Sequence, residues 1–512
     1  MSRGKNGLRR WLTAPWARST SERAPRAPAP DVEKYPETQP ETQPETQTEI
    51  RMMDTRRSDP KDLESLERMV RDGQIDTVLS TMPDMQGRLV GKRLDAHFYL
   101  EHVAREGSHH CSYLLGTDME MNTLPGFTMT NWRTGYHDFK VQPDHHTLRL
   151  APWLEKTAIV IGDVYTDEGE PVEESPRRIL QRQVERLKAL GFTAKVASEL
   201  EFYLFRNTYE TARAQRYHDM TPYGTYIQDY HILATTKEEG IVRQIRNHMN
   251  TAGIPVEGSK GEWGYGQEEL NLAYSDPVEM ADRHVLYKHG AKEIAALNGV
   301  SLTFMAKWDA GQAGSSFHLH SSLWDAAGKA VFWDESQPLG MSQLFQHYLA
   351  GQLAYTHELM FFYAPFINSY KRYREGTFAP IRLVWGHDNR TCGLRVIGEH
   401  NSIRVENRVP GADANPYLAF AATIAAGIAG IERRLPLPPR FSGDAYESSG
   451  GNVPKVPGAL YEAIHTLEHS QLAREAFGEK VVNHYLNSAR EEQAAYDHAV
   501  TCWELDRYFE RI

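Results

Sequence analysis

The sequence predicts an α+β fold in which a small N-terminal domain of one helix and several short strands precedes a larger α/β catalytic domain. Three observations lead there. At 512 residues the chain is too long for one small core, so two structured domains and a tail are expected. Short strand-like runs separated by turn signals fill residues 75–153, whereas apolar strands alternate with long helical patterns beyond residue 158. Within that second region, residues 198–205 read S-E-L-E-F-Y-L-F, a strand with Glu199 and Glu201 on one face and Leu200, Phe202 and Leu204 on the other.

Composition narrows the function classes. With 40% hydrophobic and 24% charged residues, the chain reads as an ordinary globular enzyme. Its net charge of -11 excludes a general nucleic-acid binder, which needs a basic surface to displace counterions from phosphates. No apolar run approaches the roughly 20 residues that span a bilayer, and no secretory apolar region opens the chain. A cytoplasmic, membrane-free protein is expected. Cys111, Cys392 and Cys502 are odd in number and form no C-x-x-C pair, which fits a reducing compartment and gives them no catalytic role.

Taken in order, residues 1–55 read as a disordered tail, Arg-, Pro- and Ser-rich and then repeating E-T-Q-P. The N-terminal domain is expected over residues 61–155. Leu63, Leu66 and Val70 fall at helical spacing with Gly73 as the stop, and two strand runs follow across the turn P-D-M-Q-G. The catalytic domain is expected over residues 158–512. It opens on the apolar strand T-A-I-V-I-G-D-V-Y, and a helix begins at Pro176 with Ile179, Leu180, Val184 and Leu187 on one face and Gly191 at its end. A long helix starts at Asp276-Pro277 and closes at Asn298-Gly299, and a strand covers residues 302–308. Further helices are expected over residues 343–362, 415–434 and from about 458 onward.

The polar motifs fall in the loops and strands of this second domain. Two acids side by side on a strand repel, and a hard divalent cation is the usual occupant between them; the competing reading is a solvated acidic face. The glycine-rich segment 261–269, G-E-W-G-Y-G-Q-E-E, lets Glu262 and Glu269 face one point. His318 and His320 share a strand face in G-S-S-F-H-L-H-S-S, as do Arg404, Glu406 and Arg408 in I-R-V-E-N-R. The latter pattern fits either a surface ion-pair ladder or a metal ligand between two anion-binding guanidiniums. With Arg372, Arg390 and Arg395 nearby, carboxylates and arginines together point to a substrate carrying both metal-bound phosphates and carboxylates.

At this point the sequence resembles a known family. S-E-L-E-F-Y-L-F, G-Q-E-E, G-S-S-F-H-L-H-S-S-L, N-S-Y-K-R, D-N-R-T-C-G-L-R and R-V-E-N-R-V-P-G-A-D-A-N-P-Y-L-A occur in the order found in bacterial class I glutamine synthetases, from about residue 65 to the end. The resemblance implies a β-grasp-like N-terminal domain and two or more metal sites for Mg²⁺ or Mn²⁺. Glu201, Glu262 and Glu269 would hold one ion, and Glu199, His318 and Glu406 the other. It further implies that Arg372 and Arg408, beside the Gly314 backbone, bind glutamate and the transferred phosphoryl group. His320, Ser322, Arg390, Arg395 and Arg404 would line ATP, with Arg390 also counted among the catalytic arginines. The implied assembly is a homo-dodecamer of two stacked hexamers.

The sequence departs from the family at the amine. Ammonia-using members carry a glutamate six residues beyond the arginine of N-S-Y-K-R; here that position is Phe378. An apolar aromatic surface suits an amine that carries carbon better than it suits ammonium. Ala313 likewise stands where the family usually has asparagine. Y-R-E-G-T-F-A-P and L-R-V-I-G resemble the γ-glutamylpolyamine and γ-glutamylethanolamide synthetase branch, so the expected activity is an ATP-dependent glutamate-amine ligase of nitrogen metabolism acting on a polyamine or small amine. The competing readings are an ordinary glutamine synthetase and a catalytically silent relative, the latter disfavoured because all six metal-ligand positions are filled. Tyr446, in G-D-A-Y, lies near where some members are adenylylated, but its surroundings differ and no such control is expected.

Overall fold

A computed structural model describes residues 62–447 and 454–512. The tail expected over residues 1–55 lies outside the described residues. The first helix, Leu63–Arg71, is capped by Asp62, whose carboxylate accepts from the Ser65 amide at 2.8 Å, and it buries Leu66, Met69 and Val70. Strands β1 (Thr77–Pro83) and β2 (Leu89–Asp95) form a hairpin. Strands β3 (Ser108–Cys111), β4 (Asp138–Pro143), β5 (Arg149–Leu150) and β6 (Thr157–Tyr165) complete a six-stranded sheet in the order β2-β1-β6-β4-β3, with β5 paired to β6.

One expected boundary moves. The apolar run at residues 157–165 was expected to open the catalytic domain, but β6 lies at the centre of the N-terminal sheet. It pairs parallel with β1 from Thr77↔Thr157 to Thr81↔Ile161 and antiparallel with β4 and β5. Its continuous hydrophobicity reflects burial on both faces. Ala158 and Val160 join Leu66, Val78 and Tyr99 in a small core on one side; Ile159 and Ile161 join a large core on the other.

The second sheet has eight strands: β7 (Phe192–Phe205), β8 (Val256–Gly261), β9 (Gln267–Ser275), β10 (Ser301–Thr303), β11 (Phe317–Asp325), β12 (Trp385–His387), β13 (Leu394–Ile397) and β14 (Arg404–Asn407). Their order is β12-β13-β14-β11-β7-β9-β8, with β10 also paired to β7. The long strand β7 therefore sits inside the sheet, flanked by β11 and β9. Helices Pro176–Ala189 and Pro277–Leu297 pack against β7, and the alanine-rich helix Pro416–Glu432 packs against both of them. Proline at the first turn and Gly191 or Gly299 at positive φ just past the ends fix the lengths of the first two. The large core joins Leu79 and Met82 of β1 and Ile159 of β6 to Leu200, Phe202 and Leu204 of β7.

Two further expectations change. The strand expected over residues 302–308 is only β10, and the helix expected over residues 343–362 is two pieces, Gln343–Tyr355 and Met360–Tyr363. No helix among the described residues is long and apolar enough to cross a membrane.

Candidate active site

Strand register assembles the site. Residues directly opposite on neighbouring strands share a face, and the pairings set Glu201 against Glu269, Glu199 against His318, His320 against Glu406, and Glu406 against Arg395. Five strands thus lay one row of acids, imidazoles and guanidinium across the sheet. Glu262 enters from the turn between β8 and β9, which is folded back by a bond from the Glu262 amide to the Gln267 carbonyl at 2.8 Å.

The acidic face of β7 is closed to solvent at Glu201, while Glu199 stays partly exposed. Glu201 is 5% exposed because the loop before β11 and Gln267 close over it: its carboxylate accepts from the Ser316 amide at 2.8 Å and from Gln267 Nε2 at 3.2 Å. Oxygens of Glu201, Glu262 and Glu269 lie within 4.8 Å of one another, as do ligand atoms of Glu199, Glu269 and His318, and of Glu199, His320 and Glu406. Glu199 stands between the last two groups. The trio expected from the resemblance, Glu199, His318 and Glu406, is adjacent, with His318 Nδ1 at 3.4 Å from Glu199 and 3.7 Å from Glu406, but His320 is the imidazole nearest Glu199, at 3.0 Å.

The charges explain what such clusters are for. Burial, and then the neighbouring Glu262 carboxylate, raise Glu201 to about 7, and the same two causes raise Glu269 well above the carboxylate range. Burial acts to raise Glu199 too, yet hydrogen bonds from His318 and His320 hold it well below. Burial likewise opposes the ionised Glu406, but Arg408, His318, His320 and Arg395 bring it down to about 2. Carboxylates this close and this buried have to share a proton or a cation. Lys260 supplies one here, contacting Glu262 and standing 3.8 Å from Glu269. An all-carboxylate group and a carboxylate-imidazole group also have the donor chemistry of hard divalent cations, and His318 Nε2 is buried without a partner. The residues fit divalent metal.

Beside the row sits a cationic, glycine-lined edge. Arg372 is 1% exposed; its two Nη groups donate to the Val409 and Arg408 carbonyls and to Ser316 Oγ at 2.8–2.9 Å, and its Nε has no partner. Gly314 has to be glycine, since a Cβ there would lie 2.6 Å from Arg372 Cγ and 2.8 Å from the Ala306 carbonyl. Arg408 donates to Glu406 at 2.5 Å and to the Phe378 carbonyl at 3.4 Å. Phe378 itself is 53% exposed and adopts φ 57°, a left-handed conformation that is uncommon for a bulky residue.

A cavity of about 500 Å³ opens on the other side of the row. His320, Ser322 and Arg404 line it, together with Lys195, Asn271, Tyr274 and Trp324. Arg395 does not line it but is turned toward Asp388 and Glu406. Arg390 is exposed on a separate, shallower rim with Arg440. The structure therefore brings together three of the five residues expected at the nucleotide and leaves Arg390 and Arg395 outside that cavity. Lys260, Tyr274 and Trp324 carry little sequence signal: Lys260 lies two residues before Glu262, and Tyr274 and Trp324 are single aromatics near the ends of β9 and β11.

Comparisons with known proteins identify the family. Residues 173–508 match the model described as glutamine synthetase, catalytic domain. The chain is 49% identical over 456 residues to the γ-glutamylethanolamide synthetase of Streptomyces coelicolor, covering 89% of this chain and 97% of that protein. It is 37% identical over 439 residues to the glutamate–isopropylamine ligase of a Pseudomonas species, covering 86% and 96%. A solved GmaS/ADP complex superposes with a TM-score of 0.77 at 26% identity, covering 87% of this chain and 99% of that one. This chain belongs to the glutamine synthetase family.

Proposed function

We propose that the protein is an ATP-dependent glutamate-amine ligase that takes a small organic amine and makes a γ-glutamyl amide through γ-glutamyl phosphate. The observation that carries the amine assignment is Phe378, half exposed at the edge of the acid–arginine row and bonded through its carbonyl to Arg408. The two relatives above act, by name, on ethanolamide and isopropylamine chemistry, which favours small amines over long polyamines.

The roles follow from position. The γ-carboxylate of glutamate attacks the γ-phosphorus of ATP and ADP leaves; the unprotonated amine then attacks the acyl carbon, and phosphate leaves carrying the proton that the amine nitrogen gives up, its charge met by Arg408. Arg372 and the Gly314 carbonyl position glutamate, and His320, Ser322 and Arg404 line the nucleotide, with Arg395 buttressing Glu406. Divalent cations, Mg²⁺ or Mn²⁺, held by Glu201, Glu262 and Glu269 and by Glu199, His318 and Glu406, supply the charge neutralisation that anionic phosphates need. We place the reaction in the cytoplasm, where ATP and glutamate are available, and assign the active form to a dodecamer of two stacked hexamers. An active monomer in size-exclusion chromatography contradicts that assembly.

The test is glutamate- and ATP-dependent phosphate release with ethanolamine, isopropylamine, methylamine, putrescine, spermidine and ammonium. Turnover with a small amine and little with ammonium is expected. Efficient use of ammonium instead makes the protein a glutamine synthetase, a reading that the exposed Glu375 in the same loop favours. No turnover with any of them makes it a silent relative.

A further inference from the structure

The stretch after Phe378 is held from outside by residues 443–446 and 454–456. The Leu383 amide donates to the Pro454 carbonyl at 2.9 Å, and the Ile381 carbonyl accepts from the Val456 amide at 3.1 Å. The third anchor differs in kind: the Ala379 carbonyl accepts from the Tyr446 hydroxyl at 2.9 Å. Tyr446 is in turn fixed. Its amide donates to Asp444 at 2.9 Å, Ala445 donates to Thr391 Oγ1 at 3.0 Å, and Asn389 donates to the Gly443 carbonyl at 2.9 Å.

Two consecutive carbonyls, those of Phe378 and Ala379, are therefore gripped by two side chains from different segments, Arg408 at 3.4 Å and Tyr446 at 2.9 Å. Between them they hold a phenylalanine in the left-handed region, at φ 57°. Such a conformation persists only where the surroundings enforce it. The rest of the loop gives little help: Gly376 precedes it at φ 71°, and its own internal side-chain bond is Thr377 Oγ1 to the Arg374 carbonyl at 2.7 Å. The shorter of the two grips is Tyr446.

We propose that Tyr446 is a positioning residue for amine selection: its hydroxyl latches the loop 374–380 so that the Phe378 ring is held at the amine end of the site. The inference rests on the ligase reading above for its functional half. Burial raises the Tyr446 hydroxyl to about 12, so it stays a donor across the working pH range. The same bond occupies the hydroxyl and half-buries the ring, so the latch is incompatible with a bulky group on that oxygen.

Tyr446→Phe in the full-length protein deletes the bond and keeps the ring. Expected is a rise in the KM for the preferred amine of about five- to tenfold, the size of one lost hydrogen bond. The kcat and the KM values for glutamate and ATP should stay within about twofold, and the preference over ammonium should shrink. Independently, amide hydrogen exchange over residues 374–383, where the Leu383 amide is bonded to the Pro454 carbonyl, should quicken about five- to tenfold in the variant without substrates, reporting loosening of the stretch that the lost bond anchors. Unchanged exchange overturns the latch, and faster exchange with no change in the amine KM overturns its role in selection. Because exchange is read without an amine, a wild-type protein that uses only ammonium sinks the ligase reading while leaving the latch to be judged separately. A melting temperature within a few degrees of wild type shows that the variant is folded.

Discussion

At one end of the site, Glu199, Glu201, Glu269, His318 and Glu406 stand on interior strands whose register fixes their mutual positions. At the other end, Phe378 stands on a loop, half exposed, in a backbone conformation kept by two side-chain bonds. The charged end is over-determined: Glu406 alone is held by Arg395 at 2.8 Å and Arg408 at 2.5 Å. The loop end has few restraints, and each can be removed singly. On the proposed reading, chemistry shared with relatives sits on paired strands, and the choice of nucleophile sits where one residue can change without disturbing them.

Breaking the strand-borne end should have the largest effect. Glu201→Gln keeps the bond from Ser316 but removes charge from the carboxylate group; activity should fall about a thousandfold, and Mn²⁺ binding by calorimetry should weaken at the same time. Arg408→Lys tests a residue that touches both ends. Lysine cannot bond Glu406 and the Phe378 carbonyl through one planar fork, so kcat should fall about a hundredfold. If only amine KM changes, Arg408 serves the loop and not the phosphoryl group.

Phe378→Glu sharpens the contrast from the other side. The kcat/KM ratio of ammonium to organic amine should rise about tenfold with the KM for ATP unchanged. The smallest effect concerns the foundations of the rigid end. Burial, and then the Glu238 carboxyl, raise Glu268 to about 9 from the usual 4.5. Its folded form is therefore protonated where the unfolded chain is ionised, so stability falls as pH rises from the carboxylate range towards 9. Glu268→Gln should remove that slope and raise the melting temperature by a few degrees at alkaline pH, as thermal denaturation across the range will read.

The rigid end was the more legible in sequence, for a geometric reason. A strand repeats every two residues, so S-E-L-E-F and F-H-L-H each declare which side chains share a face. What sequence withheld was the partner across the strand. That Glu199 sits between two imidazoles, or that Lys260 lies among the acids, depends on register set by contacts scores of residues apart. β6 was misplaced for the same reason, since its parallel pairing with β1 leaves no local mark. Arg390 and Arg395, expected at the nucleotide, lie outside the cavity because β13 and the turn before it face Asp388 and the rim. Phe378 stood out in sequence only as a departure from relatives, and Tyr446 offered no pattern pointing to it as an anchor.

The large core shared by the two sheets also bears on how the molecule can be divided. Heredity marks residues 173–508 as a unit, but Leu79, Met82, Ile159 and Ile161 belong to the same packed interior as Leu200 and Phe202. A polypeptide trimmed to the inherited unit would bare that interior to water and should aggregate. Heating the intact chain should melt both sheets in one cooperative step, so the boundary that evolution recognises is invisible to the calorimeter.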